Sequence, residues 1–303
     1  MGQERHDDAH QVVTAKRPSI GSSGLRLGDW WRHSDVHILL VAAGWILGSS
    51  ALLNRTVAWP FLLLACVGAF LVYRVDRLFV HSPEDVVNAN ERVGFTVQYR
   101  VVLVAIAVVM TFAAAWAAFH LELAWMEVSL AVGMLGLVYP LRILPGGRRP
   151  KDILWLKTLL IAGCWVGGGV LLPALMPGQG EPVDVAALAL VGIYRTLFVL
   201  PNLWVADWLD RVGDSEAGVL GWGGNVQEGW LAAVLCAGVI VVVVMGFARI
   251  QPELLVIDGL AFVGMVLHAW RIRRQGQGSM TLLDLWVAFP FVTWILRIVL
   301  AVN

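Results

Sequence analysis

The chain has 303 residues, of which 58% are hydrophobic and 15% charged, with a mean hydropathy of +0.73. A composition so apolar excludes a water-soluble domain. Basic and acidic residues balance at 22 each, so nothing in the net charge points to nucleic acid or another acidic macromolecule as a partner.

Residues 1–34 are polar, contain Gly and Ser, and lack helical periodicity. No apolar core with a small-residue cleavage site follows, so the segment reads as a disordered cytosolic tail rather than a signal peptide. Residues 35–303 read as one transmembrane domain. A helix that crosses a bilayer takes about 20 apolar residues. Nine such runs follow, near 36–53, 57–80, 97–118, 123–142, 153–174, 184–206, 229–248, 252–270 and 281–301. The expected fold class is therefore an all-α polytopic membrane protein with nine transmembrane helices.

Basic residues set the orientation. Arg5, Lys16, Arg17, Arg26 and Arg32 precede the first run, and Arg74, Arg77, Arg92 and Arg100 flank the loop after the second. Arg142, Arg148, Arg149 and Lys151 follow the fourth run, Arg211 the sixth, and Arg271, Arg273 and Arg274 the eighth. The intervening connections carry only Arg55 and Arg249. The positive-inside rule then places the N-terminus in the cytosol and the C-terminus on the opposite side, as in a multi-pass protein of a bacterial cytoplasmic membrane. Cys66, Cys164 and Cys236 lie inside apolar runs, where neither a disulfide nor a thiolate metal site is expected. Tryptophans near run ends fit interfacial anchoring, and Gly167, Gly168 and Gly169 fit close helix packing.

Ionisable groups at membrane edges or inside spans carry the functional signal, because each costs a few kcal/mol in hydrocarbon unless paired or hydrated. After the sixth run the chain reads Asp207-Trp-Leu-Asp210-Arg-Val-Gly-Asp214. Helical steps of three and four bring these carboxylates onto one stripe, where they repel each other unless a divalent cation such as Mg²⁺ sits among them. The alternative is a solvated acidic helix exit paired with Arg211. A second acidic site, Asp76, closes the second run, with an ion pair to Arg74 or Arg77 as its alternative. A basic stretch containing Arg142, Arg148, Arg149 and Lys151 lies between them, with Lys157 just beyond. Arg142 and Lys157 fall at the membrane edge and suit a phosphate group. Arg195 lies deeper and requires an anionic partner or a wet cavity.

Nine helices, acidic motifs closing helices two and six, and Tyr139-Pro140-Leu141-Arg142 closing helix four resemble the UbiA-type intramembrane prenyltransferase superfamily. The second motif carries the resemblance most specifically: Asp207-x-x-Asp210-x-x-Gly213-Asp214, with Gly218 beyond, follows the family pattern. The resemblance implies a ring of helices around a central cavity, with Mg²⁺ ions bridging aspartates and the diphosphate of an isoprenyl donor. It implies Asp76, Asp207, Asp210 and Asp214 as catalytic metal ligands, and Arg142, Lys157, Arg148 and Arg149 as diphosphate-binding groups. Tyr73, Tyr139, Tyr194, Arg195 and Asn202 are expected on the cavity wall, with Phe70 and Trp204 as further aromatic candidates. The first motif departs from the family pattern: Val72, Tyr73 and Val80 stand beside Asp76, which leaves Glu84, Asp85 or Asn88 as replacement ligands.

The expected activity is transfer of an isoprenyl group from its diphosphate to a hydrophobic acceptor, aromatic or lipid, within the lipid bilayer. A terpene cyclase or lyase on the same scaffold needs no acceptor, and a non-catalytic lipid-binding or transport protein is the third reading. No nucleic acid is expected as a partner.

Overall fold

A computed structural model describes residues 27–79, 90–147, 149–176, 182–216, 228–275 and 280–302. The chain enters as a short helix α1 (Leu27–His33), followed by α2 (His37–Leu52), α3 (Trp59–Phe79), α4 (Asn90–Gln98), α5 (Arg100–Ala118) and α6 (Leu123–Val138). Then come α7 (Leu154–Val166), a π-helical turn (Gly167–Leu171), α8 (Leu172–Leu175) and α9 (Val185–Glu216). The last helices are α10 (Glu228–Phe247), α11 (Pro252–Gln275), α12 (Met280–Ala288) and α13 (Pro290–Val302).

Among the described residues, six stretches are long and apolar enough to cross a membrane: Arg100–Ala118, Leu156–Leu175, Val185–Arg211, Gly229–Phe247, Pro252–Gln275 and Met280–Ala301. Helices α2 and α6 are apolar but span only 16 residues each. Helix α3 has 21 residues and carries Arg74, Asp76 and Arg77 toward its end. The chain is thus an all-helical integral membrane protein. Val101, Phe112, Ile240 and Phe247 lie on the outside of α5 and α10, an apolar surface that suits lipid rather than water.

The segment expected as tail is not structureless up to residue 34. In α1, Trp30 packs edge-on to Phe95 of α4, with ring centroids 5.2 Å apart. Ser34 and Asp35, just beyond, are buried. Asp35 is the anchor, because Arg74 (2.5 Å) and Arg77 of α3 both form ion pairs with its carboxylate. Those arginines are thereby tied to the entry of α2.

Helix α2 runs through the interior, with thirteen of its 16 residues buried and with α3, α12, α13 and the π-helical turn around it. Three glycines allow that approach. A Cβ on Gly44 or Gly48 would collide with backbone at Ala288 or Pro290, where α12 gives way to α13, and one on Gly169 would collide with the Trp45 indole. Asn54 (φ 54°) and Arg249 (φ 56°) adopt left-handed backbone just after α2 and α10. There the amides of Arg55 and Ile250 reach back to the carbonyls of Ser50 and Met245, which stops both helices cleanly.

Candidate functional site

The ends of α3, α6 and α9 and the beginnings of α2, α7 and α12 meet at one end of the bundle. Helix α9 brings the second acidic motif there by its length. Asp207 lies 22 residues beyond Val185, roughly 33 Å along the axis, and so at the margin of a hydrocarbon core about 30 Å thick. Asp207 is 2% exposed, and its Oδ1 forms an ion pair with Nζ of Lys157, from the first turn of α7. Asp76, at the corresponding end of α3, takes Lys151 as its partner, Nζ to Oδ1 3.1 Å. Lys151 sits in the short 3₁₀ turn Pro150–Asp152 that leads into α7.

The two bridges belong to one cluster. Lys157, Asp76, Asp207 and Asp210 all act electrostatically on the Tyr139 phenol, which closes α6. Tyr73, one turn before Asp76, is acted on by Asp284, Tyr139 and Asp76, and its hydroxyl meets the Trp165 side chain. Three carboxylates, Asp76, Asp207 and Asp210, and the ammonium groups of Lys151 and Lys157 thus gather near a pair of tyrosines at this end of the bundle, with Asp284 acting on Tyr73 as a fourth. Such an arrangement tolerates burial because each ion has a partner, and it can exchange those partners for an incoming anion and cation.

Other expected site residues lie elsewhere or make other contacts. Arg149 folds back on Asp152 in a capping arrangement, Nη2 to Oδ1 2.7 Å and backbone N to Oδ2 2.8 Å. Arg142 is exposed. Arg211 donates to the Trp208 carbonyl oxygen (2.5 Å) and stacks on the same indole. Glu84, Asp85, Asn88 and Arg148 lie outside the described residues. Asp214 is in the last turns of α9, with its side chain outside the described part. Among the described residues, no group of three or more His, Cys, Asp or Glu side chains converges as a metal site would require.

Tyr194 and Arg195, expected on a cavity wall, instead fill the middle of the bundle. Both are 0% exposed, and Phe198, Phe262 and Trp45 pack around them with equally little exposure. Arg195 donates Nη1 and Nη2 to the two carboxylate oxygens of Asp258 on α11 (2.8 and 3.0 Å), and Nε to Ser49 Oγ on α2 (2.9 Å). Tyr194 donates to the Asp258 carbonyl oxygen and Thr293 to its carboxylate. The interior is a plug at this level, and the candidate site lies between it and the membrane surface.

Asn202 donates to Asp284 Oδ1 (3.1 Å), whose other oxygen faces His37 (3.3 Å). Neither Asp258 nor Asp284 was singled out from sequence. Both lie inside apolar runs, so the rule that flagged Arg195 could also have flagged them. Asp35 offered no such signal, since it stands at the polar start of the first run.

The arrangement defines a polytopic helical membrane protein with an ionic cluster at one end. Its fold is shared with a UbiA homolog from Aeropyrum pernix K1, solved without ligand, at a TM-score of 0.55 and 13% identity over 88% of this chain and 98% of that one. A solved digeranylgeranylglyceryl phosphate synthase matches with a TM-score of 0.49 and 14% identity over 89% of this chain and 97% of that one. No family model and no curated protein sequence matches the chain. The likeness is one of fold, the UbiA-type fold that the second acidic motif leads one to expect.

Proposed function

We propose that the protein is an intramembrane prenyltransferase that binds an isoprenyl diphosphate at the Asp76–Lys151 and Asp207–Lys157 cluster and transfers the isoprenyl group to a hydrophobic acceptor, aromatic or lipid. The reading places nine helices across the membrane, with the N-terminus and the cluster on the cytosolic side. The observation that carries it is the pairing of both motif aspartates with lysines around Tyr139.

Asp207 and Asp210 would hold a Mg²⁺ ion together with the diphosphate, and the motif's spacing adds Asp214 as a further candidate. Asp76 by itself does not make a second metal site, and its partner is Lys151. When bound, Mg²⁺ would supply Lewis-acid stabilisation of the departing diphosphate. Lys157 and Lys151 would leave their carboxylates and turn to the diphosphate oxygens, which holds the leaving group and offsets its charge as the C–O bond breaks. Tyr73 and Tyr139 would supply aromatic wall beside the allylic cation that forms. The packed layer of Arg195, Tyr194 and Phe198 closes the site from below and excludes water there.

Binding of a thiolodiphosphate analogue of geranylgeranyl diphosphate to the purified protein, with and without Mg²⁺, tests the reading. Mg²⁺-dependent binding that Asp210→Asn abolishes is the expected result. An analogue that fails to bind under all conditions would overturn it.

A further inference from the structure

His37 opens α2 and is 3% exposed, yet both of its ring nitrogens have partners. Nδ1 lies 3.1 Å from the Trp31 carbonyl oxygen, and Nε2 lies 3.3 Å from Asp284 Oδ2. A carbonyl oxygen only accepts, so Nδ1 must carry a proton. Nε2 would then meet the carboxylate lone pair to lone pair unless a second proton lies between them. The ring thus bridges the Trp31 carbonyl oxygen and the Asp284 carboxylate and holds that carboxylate in place. Asn202 Nδ2 donates to the other carboxylate oxygen, so α2 and α9 together fix the orientation of Asp284.

This group borders the diphosphate cluster. Asp284 is the first of the charges acting on Tyr73, which also feels Asp76 and Tyr139. About a fifth of the Asp284 side chain (21%) remains open. Its partner Asn202 lies five residues before Asp207 on α9, roughly 7–8 Å deeper along the axis. On the prenyl-transfer reading, a donor held by its diphosphate at Asp207 would reach that depth with the carbons nearest the diphosphate.

We propose that Asp284, oriented by His37 and Asn202, is the proton acceptor of prenyl transfer. The inference rests on the prenyl-transfer reading above. The C–O bond of the donor breaks with its electron pair leaving on diphosphate, and the acceptor's π electrons form the new C–C bond. The proton on the attacked carbon passes to an Asp284 oxygen, and its C–H pair restores the acceptor's unsaturation. Asp284 is then neutral and loses the proton to water as product leaves. A cationic intermediate of this kind is a far stronger acid than a carboxylic acid, so a carboxylate suffices as its base. Without an acceptor the same group removes a proton from the allylic cation itself and yields a conjugated hydrocarbon, whereas water capture yields an alcohol.

That difference provides the test. The full chain in lipid nanodiscs is given geranylgeranyl diphosphate and Mg²⁺ without acceptor. Diphosphate release, the hydrocarbon-to-alcohol ratio and affinity for the thiolodiphosphate analogue are then measured. Asp284→Asn should keep analogue affinity and lower hydrocarbon formation by about 100-fold, the usual reach of a positioned base. Asp284→Glu should restore it, and His37→Gln should lower it with affinity unchanged; these two decide the matter should Asp284→Asn fail to fold. An unchanged hydrocarbon share in Asp284→Asn would show that diphosphate takes the proton and would sink the proposal. Lost analogue affinity, or a wild type yielding only alcohol, would sink it equally. A wild type that binds the analogue but releases no diphosphate refutes the prenyl-transfer reading, and this inference falls with it.

Discussion

Arg195 and Asp258 form two parallel hydrogen bonds of 2.8 and 3.0 Å with neither side chain exposed, which links α9 to α11 in the middle of the bundle. Ser49 and Thr293 extend the network to α2 and α13. Removing one partner strands a charge in a low-dielectric interior, so Arg195→Met or Asp258→Leu alone should cost about 3–5 kcal/mol. The double variant should cost less than the sum, because no unpaired ion remains. Thermal unfolding of the four proteins in one detergent measures the coupling. Strict additivity would show that the pair does not act as a unit.

At the cluster, Lys157 and Lys151 are expected to be the groups that hold diphosphate, while Arg149 is held by Asp152. Lys157→Met and Lys151→Met should each weaken thiolodiphosphate-analogue binding about 10- to 100-fold, the equivalent of one charge-assisted hydrogen bond at about 1.5–3 kcal/mol. Arg149→Ala should leave the affinity near wild type. Equilibrium binding separates these outcomes, and the reverse ranking would move the diphosphate site toward the 3₁₀ turns.

Residues whose environment is local were legible in the sequence. Asp207 and Asp210 share a helix stripe by spacing alone, and the loop charges predict one direction for both α3 and α9, so Asp76 and Asp207 were expected at one end of the bundle. Their partners depend on tertiary contacts that periodicity does not encode. Lys151 reaches Asp76 across 75 positions and Asp284 reaches His37 across 247. Arg195 illustrates the same division. Its need for an anion follows from burial in a span, but choosing Asp258 requires the rotation of α11 about its axis. The expected cavity wall at Tyr194 became packed interior because α2, read only as a crossing, carries Trp45 into that space.

Gly48 and Pro290 touch where α12 breaks into α13, so this contact should fix the last crossing against α2. Gly48→Val places a branched side chain against backbone that has no rotamer to yield. A loss of about 1–3 kcal/mol is expected from the overpacking alone. Gly68→Val is the control, since a Cβ there meets nothing within 4 Å. Equal melting temperatures for the two variants would show that the α2–α13 contact is looser than it looks.

Asp152 offers a test that depends on pH. Burial pushes its carboxyl up, but the side-chain and backbone hydrogen bonds from Arg149, with the guanidinium charge, outweigh that and hold it below its ordinary value of 3.8. A carboxyl depressed in the folded state contributes stability above its unfolded value and loses it as pH falls through the folded one. Asp152→Asn should therefore cost stability near neutral pH, by about 1 kcal/mol or less for a pair this close to solvent. The difference from wild type should shrink as pH drops below that ordinary value and vanish only below the still lower folded one. Other carboxylates titrate in the same range, so the informative quantity is the wild-type minus Asp152→Asn difference in melting temperature across pH. A difference that stays constant down to the most acidic measurable point would mean that Asp152 acts through shape and not through charge.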